Sequence, residues 1–123
     1  MGERSVLVVE DDRDLAEMMA WVLTAAGFEV TTAPNGAAGL AALERQPHCL
    51  VILDLVMPDV DGFEFRARQR EHPVGSRAPV LVVSGRHDAA KLAAGMDVAG
   101  FLPKPFTPDD LVAAVTRIAG AAR

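Results

Sequence analysis

Leu50-Val51-Ile52-Leu53-Asp54-Leu55-Val56-Met57-Pro58 is the stretch that decides the fold of this chain. Four apolar residues, two of them β-branched, run straight into the Asp54 carboxylate. A run this short and apolar reads as a strand buried on both faces, as in a parallel sheet. Asp54 then stands at the carboxyl end of that strand, where open α/β sheets bind ligands. Met57-Pro58 and Asp61-Gly62 follow, so the chain turns there instead of extending. Asp54 is either a solvated strand end or a reacting group, and the rest of the chain has to decide between them.

Similar apolar runs occur at 6–9 and 80–83, with a shorter one at 101–102 and an edge-like alternation at 28–32. Between them lie segments of helical spacing. Leu15, Met18, Met19, Val22, Leu23 and Ala26 repeat every three or four residues, with Asp12 as the expected N-cap and Gly27 as the stop. Further helices are expected at 37–46, 63–71 and 88–94. A last one, at Pro108–Ala119, has Thr107 as cap and proline in its first turn. Five strands alternating with five helices predict an α/β fold, a doubly wound parallel sheet in a three-layer αβα arrangement. Neither a repeat nor a linker interrupts the pattern, and residues 1–123 are expected to form one domain.

Composition excludes several classes. Half of the 123 residues are hydrophobic and 24% are charged, which is a globular balance. No apolar stretch approaches the roughly 20 residues that span a bilayer, and the first residues lack the apolar core of a signal peptide. The formal charge of −5 argues against direct nucleic-acid binding. A single cysteine, Cys49, fits a reducing compartment, so a cytoplasmic location is expected.

Right-handed crossovers bring all parallel strand ends to one sheet edge. Glu10 and Asp11 follow the first strand, Asp54 ends the third, Ser84 ends the fourth and Lys104 follows the fifth. Three carboxylates brought together repel unless a cation sits among them. Hard oxygen donors, with room left for water and a phosphoryl oxygen, suit Mg²⁺. His48, His72 and His87 are scattered and offer no zinc spacing. Lys104 adds a point charge and Ser84 a hydroxyl donor, both suited to a phosphoryl group. Asp54 has the chemistry of an aspartyl-phosphate nucleophile. A lone Asp after a strand is most simply a cap or a solvated end, but a cluster drawn from four strand ends is not.

VVEDD (8–12), LDLVMPDVDG (53–62), VVSG (82–85) and FLPKPF (101–106) together resemble the receiver domain of bacterial response regulators, of the chemotaxis-type, flavodoxin-like fold. The resemblance covers essentially the whole chain and implies the strand order 2-1-3-4-5. It further implies that Asp54 accepts a phosphoryl group from a sensor histidine kinase or a histidine phosphotransfer protein. Asp11 and Asp54 would bind Mg²⁺ directly, Glu10 through water, and Val56 through its main-chain carbonyl. Lys104 would pair with the phosphoryl oxygens and precede a cis proline, Ser84 would hydrogen-bond the phosphoryl group, and Phe101 would change rotamer with it. The surface of the fourth helix, fifth strand and fifth helix would respond. It would address a downstream protein effector or an attached output domain, with a homodimer an open alternative. No membrane partner is implied.

The chain also departs from the family pattern. Phe101 stands where tyrosine is frequent. Ser84 and Lys104 are closer in sequence than usual, so the fourth helix is expected to be short. Arg66 and Gln69 occupy third-helix positions that are usually apolar, which leaves Phe63, Phe65 and Ala67 to pack that helix. The row Arg66, Arg68, Arg70 reads most simply as a solvated face. Val56 and Arg86 stand where the family tunes water access to the acyl phosphate. An apolar Val56 and a long Arg86 imply slow self-dephosphorylation, which a lifetime of only seconds with Mg²⁺ would contradict. Trp21 lies about 120° from the centre of the first helix's apolar stripe; partial burial against the last helix is the plainer expectation, whereas an exposed Trp there would be an anchor for the phosphodonor. A phosphorylation-independent scaffold is the second reading. A Mg²⁺-dependent aspartyl-phosphate phosphatase is the third, but Val56 fills the place of the second Asp that such enzymes use. A flavin protein lacks support, because no phosphate loop follows the first strand.

Overall fold

The strands are β1 (Ser5–Val9), β2 (Glu29–Ala33), β3 (Leu50–Asp54), β4 (Val80–Ser84) and β5 (Gly100–Pro103). The helices are α1 (Arg13–Ala25), α2 (Gly36–Arg45), α3 (Gly62–Arg70), α4 (Ala89–Ala94) and α5 (Pro108–Ala119). The computed structural model describes residues 4–55, 62–71 and 78–120, the side chains of residues 62 and 63 aside. All four strand pairings are parallel and the order is β2-β1-β3-β4-β5, as the resemblance implied.

Every residue of β1, β3 and β4 is buried, because these inner strands carry helices on both faces. Alternation divides their side chains into two cores. Val6, Val8, Leu50, Ile52, Leu81 and Val83 pack with Ala16, Met19 and Leu23 of α1 and Leu111, Ala114 and Val115 of α5. Leu7, Val9, Val51, Leu53, Val80 and Val82 pack with Leu40 and Leu43 of α2, Phe65 of α3, and Ala89 and Ala93 of α4.

Local signals set the helix ends. Asp12 Oδ1 accepts the Leu15 N–H at 3.2 Å and Asn35 Oδ1 accepts the Ala38 N–H at 2.8 Å. Thr107 and Asp110 form a reciprocal capping box with both bonds at 3.0 Å. α1 ends in a Schellman motif. Gly27 takes a φ of 103°, its N–H reaches Thr24 O, and the Phe28 N–H reaches Leu23 O. Phe28 is therefore spent on closing α1, which is why β2 begins one residue later than its alternation predicts.

α3 corrects one expectation. Ala67 is exposed, whereas Gln69 is fully buried beside Phe65. Positions 65 and 69 share a helix face while 67 points away from it. Gln69 is tolerated there because it is bonded at both ends: its Nε2 donates to Ala78 O at 2.9 Å and its Oε1 accepts from Arg66 Nη1 at 2.8 Å. The arginine row is exposed at Arg68 and Arg70, as a solvated face would be, but its guanidiniums are paired. Arg66 Nη2 donates to Asp97 O at 2.9 Å, Arg70 pairs with the Asp97 carboxylate, and Arg68 pairs with Glu64. α3 is thereby tied to the loop after α4, where Asp97 holds a left-handed φ of 54°.

Gly39 sets how closely α2 lies on the sheet. A Cβ there would meet Val9 Cγ2 at 2.8 Å and Phe65 Cε2 at 2.9 Å, both on buried side chains. Overpacking costs about 1–3 kcal/mol and outweighs the roughly 1 kcal/mol that alanine gains in helix propensity. Gly39→Ala is expected to lower the urea midpoint; an unchanged or higher midpoint would contradict this packing.

Candidate functional site

The carboxyl edge of the sheet assembles the site from segments far apart in sequence. Glu10 leaves β1 with its N–H on Ala33 O at 3.0 Å, and Lys104 leaves β5 with its N–H on Ser84 O at 2.9 Å. These two backbone bonds hold the flanking loops against β2 and β4. Asp54 closes β3 opposite Val83 of β4, so Ser84, the last residue of β4, stands beside Asp54.

Glu10, Asp54 and Ser84 are buried, and Asp11 is exposed. One carboxylate oxygen each from Glu10, Asp11 and Asp54 lies within 4.8 Å of the others. Lys104 Nζ donates to Glu10 Oε1 at 2.9 Å and to Asp54 Oδ2 at 3.4 Å. Glu10 Oε2 accepts the Asp12 N–H at 3.2 Å, so the residue that caps α1 also helps to fix Glu10. Burial pushes the Glu10 carboxyl up to about 7 and the Asp54 charge adds to that, while the Lys104 and Asp12 bonds oppose it. Burial lowers Lys104, but the bond to Glu10 and the Asp54 charge outweigh it and raise its pKa. The ammonium therefore stays charged.

Three carboxylates against one ammonium leave a surplus negative charge that a small dication would balance. The donors are all hard oxygens and one of them, on Asp11, faces solvent, so the residues present fit Mg²⁺. Two clefts flank the cluster. One of about 460 Å³ is lined by Glu10, Asp11, Arg13, Thr32 and Pro34, and one of about 330 Å³ by Leu15, Lys104, Pro105 and Phe106. Both open beside the sheet edge.

A family model described as the response regulator receiver domain matches residues 6–116. The chain belongs to this family. The receiver domain is 33% identical over 114 residues to the transcriptional regulatory protein GltR of Pseudomonas aeruginosa, covering 91% of this chain and 47% of that protein. It is 34% identical over 110 residues to the probable transcriptional regulatory protein TcrX of Mycobacterium tuberculosis, covering 88% and 46%. It thus spans about half the length of these two curated relatives. Among solved structures, the receiver domain superposes on chemotaxis protein CheY4 of Vibrio cholerae with a TM-score of 0.84 at 30% identity, covering 93% of this chain and 97% of that one. A putative response regulator from Chloroflexus aurantiacus gives 0.86 at 32%, covering 94% and 97%.

Of the residues singled out in the sequence, Glu10, Asp11, Asp54, Ser84 and Lys104 of the receiver domain come together. Val56 lies outside the described residues. The Lys104–Pro105 peptide is cis. Phe101 is half-buried, paired with Val82 and packed on the face covered by α2, α3 and α4. Trp21 is 78% exposed, not partly buried against α5. α4 has six residues, the short helix that the spacing of Ser84 and Lys104 predicted. Sequence reasoning missed the fork between Arg86 and Asp88, where Nε meets Oδ1 and Nη2 meets Oδ2, each at 3.0 Å. A spacing of two residues is not a helical pairing, so no periodicity marks it.

Proposed function

We propose that the chain is a phospho-accepting switch in which Asp54 takes a phosphoryl group from a phosphohistidine on a sensor histidine kinase or a histidine phosphotransfer protein. An Asp54 carboxylate oxygen attacks phosphorus, the P–N bond breaks, and the imidazole leaves after gaining a proton. Such transfer asks a protein mainly for positioning and charge stabilisation. Glu10, Asp11 and Asp54, with the Val56 carbonyl, would hold Mg²⁺, which when bound offsets the charge on the phosphoryl oxygens. Lys104 is already within 3.4 Å of Asp54 and gives a second fixed positive charge. The Ser84 hydroxyl donates to the phosphoryl group, and Phe101 repacks with it. The α4-β5-α5 surface then changes for an effector or an attached output domain. The chain is not a turnover enzyme on this reading and hydrolyses only its own acyl phosphate, in the cytoplasm where kinases supply it.

The observation that carries this reading is the three-carboxylate cluster with Lys104 on Asp54. Incubation with phosphoramidate and Mg²⁺, followed by intact mass measurement, is expected to add one phosphoryl group, and chelation with EDTA to prevent it. No adduct with Mg²⁺ present would overturn the reading in favour of a phosphorylation-independent scaffold.

The exposed indole of Trp21 is proposed as the anchor for the phosphodonor protein. Aromatic anchors of this kind are worth about 2 kcal/mol, roughly thirtyfold in Kd. Trp21→Ala is expected to weaken transfer from the partner by about that factor while leaving the phosphoramidate reaction intact. Unchanged partner transfer would contradict it.

A further inference from the structure

Asp88 holds the N-cap position of α4, yet its side chain makes no capping hydrogen bond. The other N-caps among the described residues behave differently. Asp12, Asn35 and Thr107 are extended, with ψ of 107°, 174° and 161°, and each side chain accepts a first-turn N–H. Asp88 instead has φ −101° and ψ 9°, and both of its carboxylate oxygens are taken by the Arg86 guanidinium. A short helix is left with an unused capping group at its start.

The fork that occupies Asp88 is easily exchanged. The Arg86 side chain is 50% exposed and that of Asp88 34%, and half-exposed ion pairs of this kind contribute little. Arg86 is also anchored to the reaction centre by its backbone, since its N–H donates to Ser84 Oγ at 3.2 Å. Ser84 follows Val83, the β4 partner of Asp54. The guanidinium therefore hangs from the loop that starts beside Asp54. Guanidinium groups fork onto phosphoryl oxygens as readily as onto carboxylates, and a phosphoryl group carries more negative charge than one carboxylate.

We propose that the Arg86–Asp88 fork is a two-position latch: a phosphoryl anion on Asp54 draws Arg86 away, and the freed Asp88 carboxylate caps α4. This rests on the reading of Asp54 as the phosphoacceptor. In the unmodified chain Arg86 and Asp88 satisfy each other and α4 starts without a side-chain cap. In the modified chain Arg86 becomes a positioning residue for the phosphoryl group. Asp88 moves to the extended backbone that caps adopt and accepts the Ala90 or Lys91 N–H. The change in ψ at Asp88 reshapes the loop from Ser84 to Asp88, so the state of Asp54 reaches α4 through one carboxylate that has two alternative partners.

The test is amide hydrogen exchange at Ala90 and Lys91, read by NMR on the full chain with and without phosphoramidate and Mg²⁺, with intact mass measured in parallel. In the wild type, phosphorylation is expected to slow these amides roughly fivefold, the factor that a side-chain cap typically contributes. Arg86→Gln releases Asp88 permanently and is expected to show the slowed exchange before any phosphodonor is added. Asp88→Ala can neither fork nor cap and is expected to stay fast in both states. A phosphorylated wild type with unchanged exchange at both amides overturns the latch, as does an Arg86→Gln variant that exchanges like the unmodified wild type. A wild type that takes up no phosphoryl group overturns the reading of Asp54 and the trigger of the latch with it.

Discussion

Asp54→Asn is expected to take up no phosphoryl group under conditions that modify the wild type fully, and to be the more stable protein in Mg²⁺-free buffer. The first effect follows from the chemistry, because an amide is a far weaker nucleophile than a carboxylate. The second follows from the cluster. Asp54 shares its site with Glu10 and Asp11, within 4.8 Å, and has the single ammonium of Lys104 in partial compensation. Charges this close interact by about 4 kcal/mol at an effective dielectric of 20. One attraction opposes two repulsions, the Asp11 one discounted for exposure and the Glu10 one for the rise of that carboxyl to about 7. The net cost in the wild type is therefore at most on the order of 1 kcal/mol at neutral pH and grows as Glu10 ionises above it. The substitution relieves that cost. The advantage should shrink as Mg²⁺ is added, since the dication favours the intact carboxylate set. Urea denaturation of both proteins across a Mg²⁺ series reads this directly. An Asp54→Asn variant that is less stable than the wild type without Mg²⁺ would mean that the cluster is not repulsive.

The largest effect on stability is expected at Phe65. Its side chain is fully buried against the core formed by Leu7, Val9, Leu40, Leu43 and Leu53. Among the described side chains α3 has little else with which to hold the sheet: Ala67 is exposed, and Gln69 contributes through hydrogen bonds. Truncation of a buried phenyl costs about 3–5 kcal/mol in transfer energy and cavity. Domains of this size have only about 5–15 kcal/mol in total, so Phe65→Ala is expected to bring the chain close to unfolding at ambient temperature. Urea unfolding followed by circular dichroism measures the loss. A loss below about 1 kcal/mol would show that α3 is held by other contacts.

The fold was legible because its signals are local. Apolar runs mark the inner strands, and Asp12, Gly27, Thr107 and Pro108 mark helix ends within a few residues of where they act. The site was legible for a different reason: parallel topology sends every strand's carboxyl end to one edge, so Glu10, Asp11, Asp54, Ser84 and Lys104 had to meet there. What escaped depends on pairings that no period encodes. Asp97 lies 27 residues from Arg70 and 31 from Arg66, and nothing in either segment names the other. The burial of Gln69 is decided by the Ala78 carbonyl, nine residues further on. Arg86 and Asp88 are close in sequence, yet their pairing overrides the capping role that position alone gives to Asp88.

The central claim, that Asp54 carries the phosphoryl group, is tested most directly by trapping the bond itself. Borohydride cleaves an acyl phosphate by reduction and converts a phosphorylated aspartate to homoserine. Wild-type protein treated with phosphoramidate and Mg²⁺, reduced, and sequenced by peptide mass spectrometry is expected to show homoserine at position 54 and nowhere else. Homoserine at position 11, or an acid-stable phosphate on Ser84 with position 54 unchanged, would contradict it.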